Sequence, residues 1–131
     1  MSALVVMEEG ECLHLLSQAH LGRLGFTHRT LPVILPVNYV IDGDRVVFTT
    51  DSSSILAAAI NSDVVCLEVD DHDSLSHTGW SVLITGHLNE LSQADADDLT
   101  SRVPLPSWRP MPLPHVVGLD MEMVSGRRLV Q

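Results

Sequence analysis

The chain has no lysine. Its seven basic side chains are all arginines, set against 17 Asp and Glu, and the formal net charge is −10 at pH 7. A chain this acidic repels phosphate backbones and anionic lipid, which argues against nucleic acid and membrane surfaces as partners. Aromatic residues are scarce (two Trp, two Phe and one Tyr), so the core must rest on Val, Leu, Ile and Ala. Cys12 and Cys66 are too few for a disulfide framework, and two buried thiols in a reducing compartment are the expected state. No apolar run is long enough to cross a bilayer. The longest uncharged one, Leu31 to Ile41, is about half of the ~20 residues required and contains Pro32, Pro36 and Asn38. Before Arg23 there is no basic residue, and Glu8, Glu9 and Glu11 are the opposite of a secretory signal. Together these absences point to a soluble, cytoplasmic protein.

What remains is enough for one folded domain spanning 1–131, since 45% of the 131 residues are hydrophobic. Cys12, Leu15, Leu16 and Ala19 recur at helical spacing, which predicts a helix over 7–20 with acidic residues at its N-terminal end and Gly22 as its stop. GRLGF then reads as a strand with Leu24 and Phe26 on one face, and a polar turn at His28 to Thr30 leads into LPVILPVNYVID. This second strand is apolar on both faces up to Val37, the pattern of a strand buried on two sides. Pro32 and Pro36 lie four apart and remove N–H groups on the same side, so that side is expected to be an edge or a bulge.

Asp42-Gly43-Asp44 signals a hairpin into RVVFTTD, and Ser52 to Ser54 cap a short helix over 55–61. VVCLEVDDHD and WSVLITGHLNEL read as strands, QADADDLTSRV as a helix, and HVVGLDMEMV as a last strand. Five prolines between Pro104 and Pro114 surround Trp108 in a segment expected to form an ordered loop. Six or seven strands with two or three small helices, joined mainly by hairpins, make a mainly β protein, a small β-barrel with helical plugs.

Catalytic signatures are missing. There is no G-x-S-x-G, no P-loop and no G-x-G-x-x-G, and Cys66 sits mid-strand as a structural thiol would. Glu68, Asp70, Asp71, His72, Asp73 and His77 form the densest group of potential metal ligands, but no paired Cys/His spacing supports a metal site, and none is assigned. No catalytic residue is assigned either, although His28 and His77 stand beside strand ends.

GRLGF, LPVILPVNYVIDGDRVVFTTDSSSILAAA, VVCLEVDD, GWSVLITGHLNEL and the closing MEMVSGRRLV, taken together and in this order, resemble the pyridoxamine 5′-phosphate oxidase-like family of FMN-binding split barrels. The likeness is to its small actinobacterial-type branch, related to nitroimidazole reductases. The resemblance covers about residues 8 to 129 and implies a six-stranded split-barrel homodimer, with two flavin sites at the subunit interface and redox chemistry on a small molecule. It places the flavin ring against the main chain of Pro36, Val37, Asn38 and Tyr39. It places the flavin phosphate against Thr49, Thr50, Ser53 and Ser54, where hydroxyls meet a helix N-terminus. Trp80 matches a position near the interface, suited to stacking on a flavin or to filling the barrel. The implied cofactor is FMN, with a deazaflavin or no cofactor as the alternatives. One departure stands out: the basic residue that usually meets the phosphate falls on Ile55, so an arginine from elsewhere must supply the charge. Arg23, Arg29, Arg45, Arg127 and Arg128 are the candidates. Without that charge the alternative is a degenerate barrel that binds or senses a ligand without catalysis.

Overall fold

A computed structural model of the chain describes residues 3–105 and 115–131, so most of the proline-rich segment around Trp108 lies outside the described residues. Nine strands and three helices follow in the order β1 (Ala3–Val6), α1 (Glu9–Gln18), β2 (Leu21–His28), β3 (Leu31–Asn38), β4 (Val40–Asp42), β5 (Arg45–Thr50), α2 (Ser53–Ile60), β6 (Val64–Asp73), β7 (Thr78–Glu90), α3 (Gln93–Arg102), β8 (His115–Asp120) and β9 (Met123–Val130). Every strand pair is antiparallel, in the order β3-β2-β6-β7-β8-β5-β4, with β9 between β7 and β1. The mainly β barrel with small helices expected from the sequence is therefore the observed architecture, with nine strands among the described residues rather than the expected six or seven, because β1 adds a short edge strand and two of the expected strands are each divided in two.

The split lies where the two ends of that order meet. β3 and β4 are consecutive in the chain, separated only by Tyr39, yet they belong to opposite ends of the hydrogen-bonded path. Tyr39 staples this corner: its N–H donates to His20 O at 3.0 Å and its hydroxyl to Leu16 O at 2.6 Å. The barrel's other change of direction is in β7, which pairs with β9 through Thr85 and with β8 from Leu88. Gly86 sits at that hand-over, and a Cβ there would lie 1.8 Å from Asp120 O, so only glycine lets the two backbones approach.

Inside, Leu24, Leu67, Ile84 and Leu88 are fully buried with Tyr39, Phe48 and Leu16, an aliphatic core as the composition requires. Cys12 and Leu16 bring the inner face of α1 onto it. The hairpin turns follow local chemistry. Gly43 takes φ 61 between the paired Asp42 and Arg45, while Arg29 (φ 52) and Thr30 (φ 68) form the left-handed turn between β2 and β3.

Several local expectations change. Gly22 does not stop α1; the helix ends at Gln18, Ala19 is already extended, and Gly22 is a buried inward position of β2 opposite Val37. Strand pairing from Leu21 onward takes the backbone away from the helix. Within one chain β3 is covered on one face only, because it is an outer strand: Leu31 is 66% and Ile34 is 70% exposed. Its eight-residue register with β2 is unbroken, so Pro32 and Pro36 carry their missing N–H groups on the free edge, as expected. The last strand is two strands, β8 and β9, broken at Met121 and Glu122. Cys66 is half-buried rather than buried, and both cysteines are free.

Candidate functional site

The residues that the sequence brings forward fall into three places. The first is the β3 edge. Pro36 is exposed, Asn38 half-buried, and Val37 points into the core. Among the described residues no strand pairs with the outer side of β3, while the Tyr39 N–H is already used by His20. Tyr39 is thus a corner and core residue, and burial pushes its phenol pKa up, which keeps it a protonated donor to Leu16 O.

The second place is the N-terminus of α2. Ser52 is the N-cap, its hydroxyl accepting from Ile55 N–H at 3.4 Å and lying 3.0 Å from the Ser54 hydroxyl. Thr50 Oγ1 accepts from Ser52 N–H at 3.0 Å. Thr49 is half-buried and Ser53 exposed. The hydroxyls needed for a neutral phosphate cradle are there, with Ser52 and Ser54 bonded to each other and Thr50 accepting a backbone N–H. Ile55 is 2% exposed and part of the core. These groups fit a flavin's ring edge and offer hydroxyls to its phosphate. They do not include a cation.

The third place is the β6–β7 hairpin with β9. A cleft of about 580 Å³ lies on it, lined by Asp70 to Ser74, His77 to Ser81, Leu4, Arg127 and Leu129. A second cleft of about 440 Å³ shares Trp80 and adds Arg128, and a third of about 470 Å³ joins Trp80 to the end of α1. Trp80 therefore borders three clefts while packing partly on the core. The acidic group considered for metal binding is organised differently. Arg23 bonds Glu68 at 3.1 Å and Asp70 at 2.9 Å, and no set of three or more His, Cys, Asp or Glu is placed to hold a metal ion among the described residues. Burial, with Asp70 beside it, raises the Glu68 carboxyl above its usual value although Ser81 and Arg23 bond it. The sequence reading placed Ser125 to Arg128 after the last strand. The structure puts them within β9, with Arg127 opposite Ser81 and Arg128 opposite Trp80.

The family model described as pyridoxamine 5′-phosphate oxidase matches residues 8–128. An uncharacterized protein of Mycobacterium tuberculosis is 34% identical over 131 residues, covering 96% of this chain and 86% of that protein. Among solved structures, an FAD binding protein from Mycobacterium smegmatis superposes with a TM-score of 0.75 at 28% identity, covering 98% of this chain and all of the other. An FAD-binding protein from Mesorhizobium loti reaches 0.82 at 18% identity with both chains covered in full, a likeness of fold.

Proposed function

We propose that this chain, which belongs to the pyridoxamine 5′-phosphate oxidase family, is a flavin-binding protein that serves as an oxidoreductase on a small molecule. The observation that carries the reading is the outer edge of β3, which no other strand pairs among the described residues and whose main-chain groups can meet a flat heterocycle, in a fold shared with two FAD-binding proteins. In such sites the flavin carries the electrons, and the protein supplies position and electrostatics. FMN is the form proposed here, with a deazaflavin as the alternative.

A homodimer is part of the same reading. Register aligns Ile34, Gly25, Cys66, Thr85 and Met123 across the outer face of the larger sheet, with Leu83 in the next row. Ile34 and Met123 are 70% and 68% exposed, and Leu4 and Val6 extend the apolar surface at the β1 edge. That much exposed aliphatic surface suits burial against a second copy. Light scattering is expected to give twice the chain mass, and a clean monomer would remove the interface.

The buried Ile55 and the mutually bonded hydroxyls of α2 favour a second reading, a barrel that binds or senses a ligand without redox chemistry. Visible absorbance of the purified protein, followed by titration of FMN with fluorescence readout, separates the two. A yellow protein or saturable quenching supports the flavin reading; a colourless protein that ignores FMN and a deazaflavin supports the second.

A further inference from the structure

We propose that two copies of this chain join face to face on the outer side of the larger sheet, with Arg127 of each copy paired to the partner's Asp70. The proposal rests on the homodimer reading and adds the contact that fixes how the copies are turned against each other.

Strand register defines the face. Arg23 is opposite Glu68 and Glu68 opposite Leu83, while Asp70 is opposite Ser81, Ser81 opposite Arg127 and Arg127 opposite Val6. Residues directly opposite on neighbouring strands point to one side of a sheet. Val69 and Val82, one position along, are buried in the core, so the charged row stands on the outer side. With histidines neutral, the charged side chains on that side are Arg23 and Arg127 against Glu68 and Asp70, which cancel on a chain of net charge −10. Two chains this acidic repel each other, and a face without net charge is where they can meet.

The charge in the middle row is also ordered. Asp70, Ser81 and Arg127 run across β6, β7 and β9 as anion, hydroxyl and cation, and all three border the cleft of about 580 Å³. A two-fold axis lying between the faces and along β7 at Ser81 turns this row end for end. Each Arg127 then meets the partner's Asp70, the reciprocal pairing of a symmetric contact. An axis across the strands would instead set like charge on like charge, at a cost of several kcal/mol.

Within one chain, both ends of the row have charge to spare. Arg23 alone serves two carboxylates, Glu68 at 3.1 Å and Asp70 at 2.9 Å. Arg127 pairs with no carboxylate among the described residues; its Nη1 donates to the carbonyl of Gly126 at 3.2 Å. The other aspartates of the cleft are held locally, Asp71 Oδ1 accepting from His72 N–H and Asp73 Oδ1 from Leu75 N–H. Exposed Leu4, Val6 and Leu83 stand around the row and would keep water from the paired charges.

Charge reversal tests the pairing. R127E sets a carboxylate against the partner's Asp70, and D70R sets a guanidinium against the partner's Arg127. Sedimentation velocity should show a wild-type dimer, and dimers about tenfold or more weaker for each variant alone. Mixed in equal amounts, the two variants should form a dimer of one copy each at near wild-type affinity, because both contacts are then of opposite sign. The double variant R127E/D70R should regain the dimer by itself. Where a single reversal unfolds the chain, as circular dichroism would show, the double variant decides: a dimer supports the pairing and a monomer overturns it. A dimer as tight as wild type in either single variant, or a mixture that associates no better than its components, would overturn the pairing and leave the homodimer reading standing. A monomeric wild type would overturn both.

Discussion

The N-terminus of α2 and the cleft at Trp80 are both rich in hydrogen-bonding groups, and they differ in the charge those groups carry. At α2, Thr50 takes the Ser52 N–H, Ser52 takes the Ile55 N–H, and the hydroxyls of Ser52 and Ser54 bond each other. The network is neutral. At the cleft, charged groups are held instead: Asp70 pairs with Arg23, Asp71 and Asp73 accept backbone N–H groups, and Arg127 donates to the carbonyl of Gly126. Composition reports which donors and acceptors are present. Only an account of partners reports which are available to a ligand.

The strongest challenge to this contrast is to put the charge back where the family usually has it. Ile55 is 2% exposed, so Ile55→Lys forces an ammonium into the core or expels its segment. A loss of about 3 kcal/mol or more is expected in denaturant unfolding, with no gain in FMN affinity. A variant as stable as wild type that binds FMN more tightly would break the comparison and place the phosphate anchor at α2.

Next in size is Tyr39→Phe, which acts on the corner that holds the β3 edge. The hydroxyl bond to Leu16 O is buried, and its removal leaves that carbonyl without its donor. A loss of about 1–3 kcal/mol is expected. If β3 presents the ring-binding edge, affinity for FMN and riboflavin should fall together, with their ratio unchanged. A change in the ratio would couple the corner to the phosphate.

Ser52→Ala should cost about 1 kcal/mol through the lost N-cap. If the α2 hydroxyls are structural, the ratio of FMN to riboflavin affinity stays at its wild-type value. A collapse of that ratio would make them phosphate ligands.

How far the two regions were legible follows from the range of the interactions that make them. The cap at Ser52, the turn at Gly43 and the alternation of Leu24 and Phe26 are local, so sequence spacing reveals them. The prolines of β3 placed a free edge correctly because a missing N–H is a property of the residue itself. β1 escaped notice because four exposed residues, Ala3 to Val6, carry no periodicity and gain their strand from pairing with β9. The break between β8 and β9 was hidden in an apolar run. The cleft beside the β6–β7 hairpin needs residues far apart in the chain to meet through the β7–β9 ladder, which spacing along the sequence does not reveal. The role of the Tyr39 side chain was not legible, because its bond to Leu16 O joins residues 23 positions apart.

The smallest effect belongs to the ion-pair network beside the cleft. Burial, then Asp70, raises the Glu68 carboxyl above its ordinary value. A carboxyl with a higher pKa in the folded than in the unfolded chain binds its proton more firmly when folded. Its favourable contribution is thus present at pH below the unfolded value and is lost as pH rises through the raised folded value. Asp42 runs the other way. Arg45 and Arg102 outweigh its burial and hold it low, so its contribution is present above the ordinary carboxylate range and is lost as pH falls through the folded value. Glu68→Gln removes only the first dependence. Relative to wild type, the variant should gain stability from the acidic range toward neutrality, by less than about 1 kcal/mol because the pair is partly open to water. Thermal melts of both proteins across that range measure the difference, and a gap that does not move with pH would mean that Glu68 titrates as an ordinary surface group. Arg23 still has Asp70 as a partner in the variant. That cleft carboxylate therefore stays engaged, and FMN affinity should not change. A large change would show that the charge of this network reaches the flavin site.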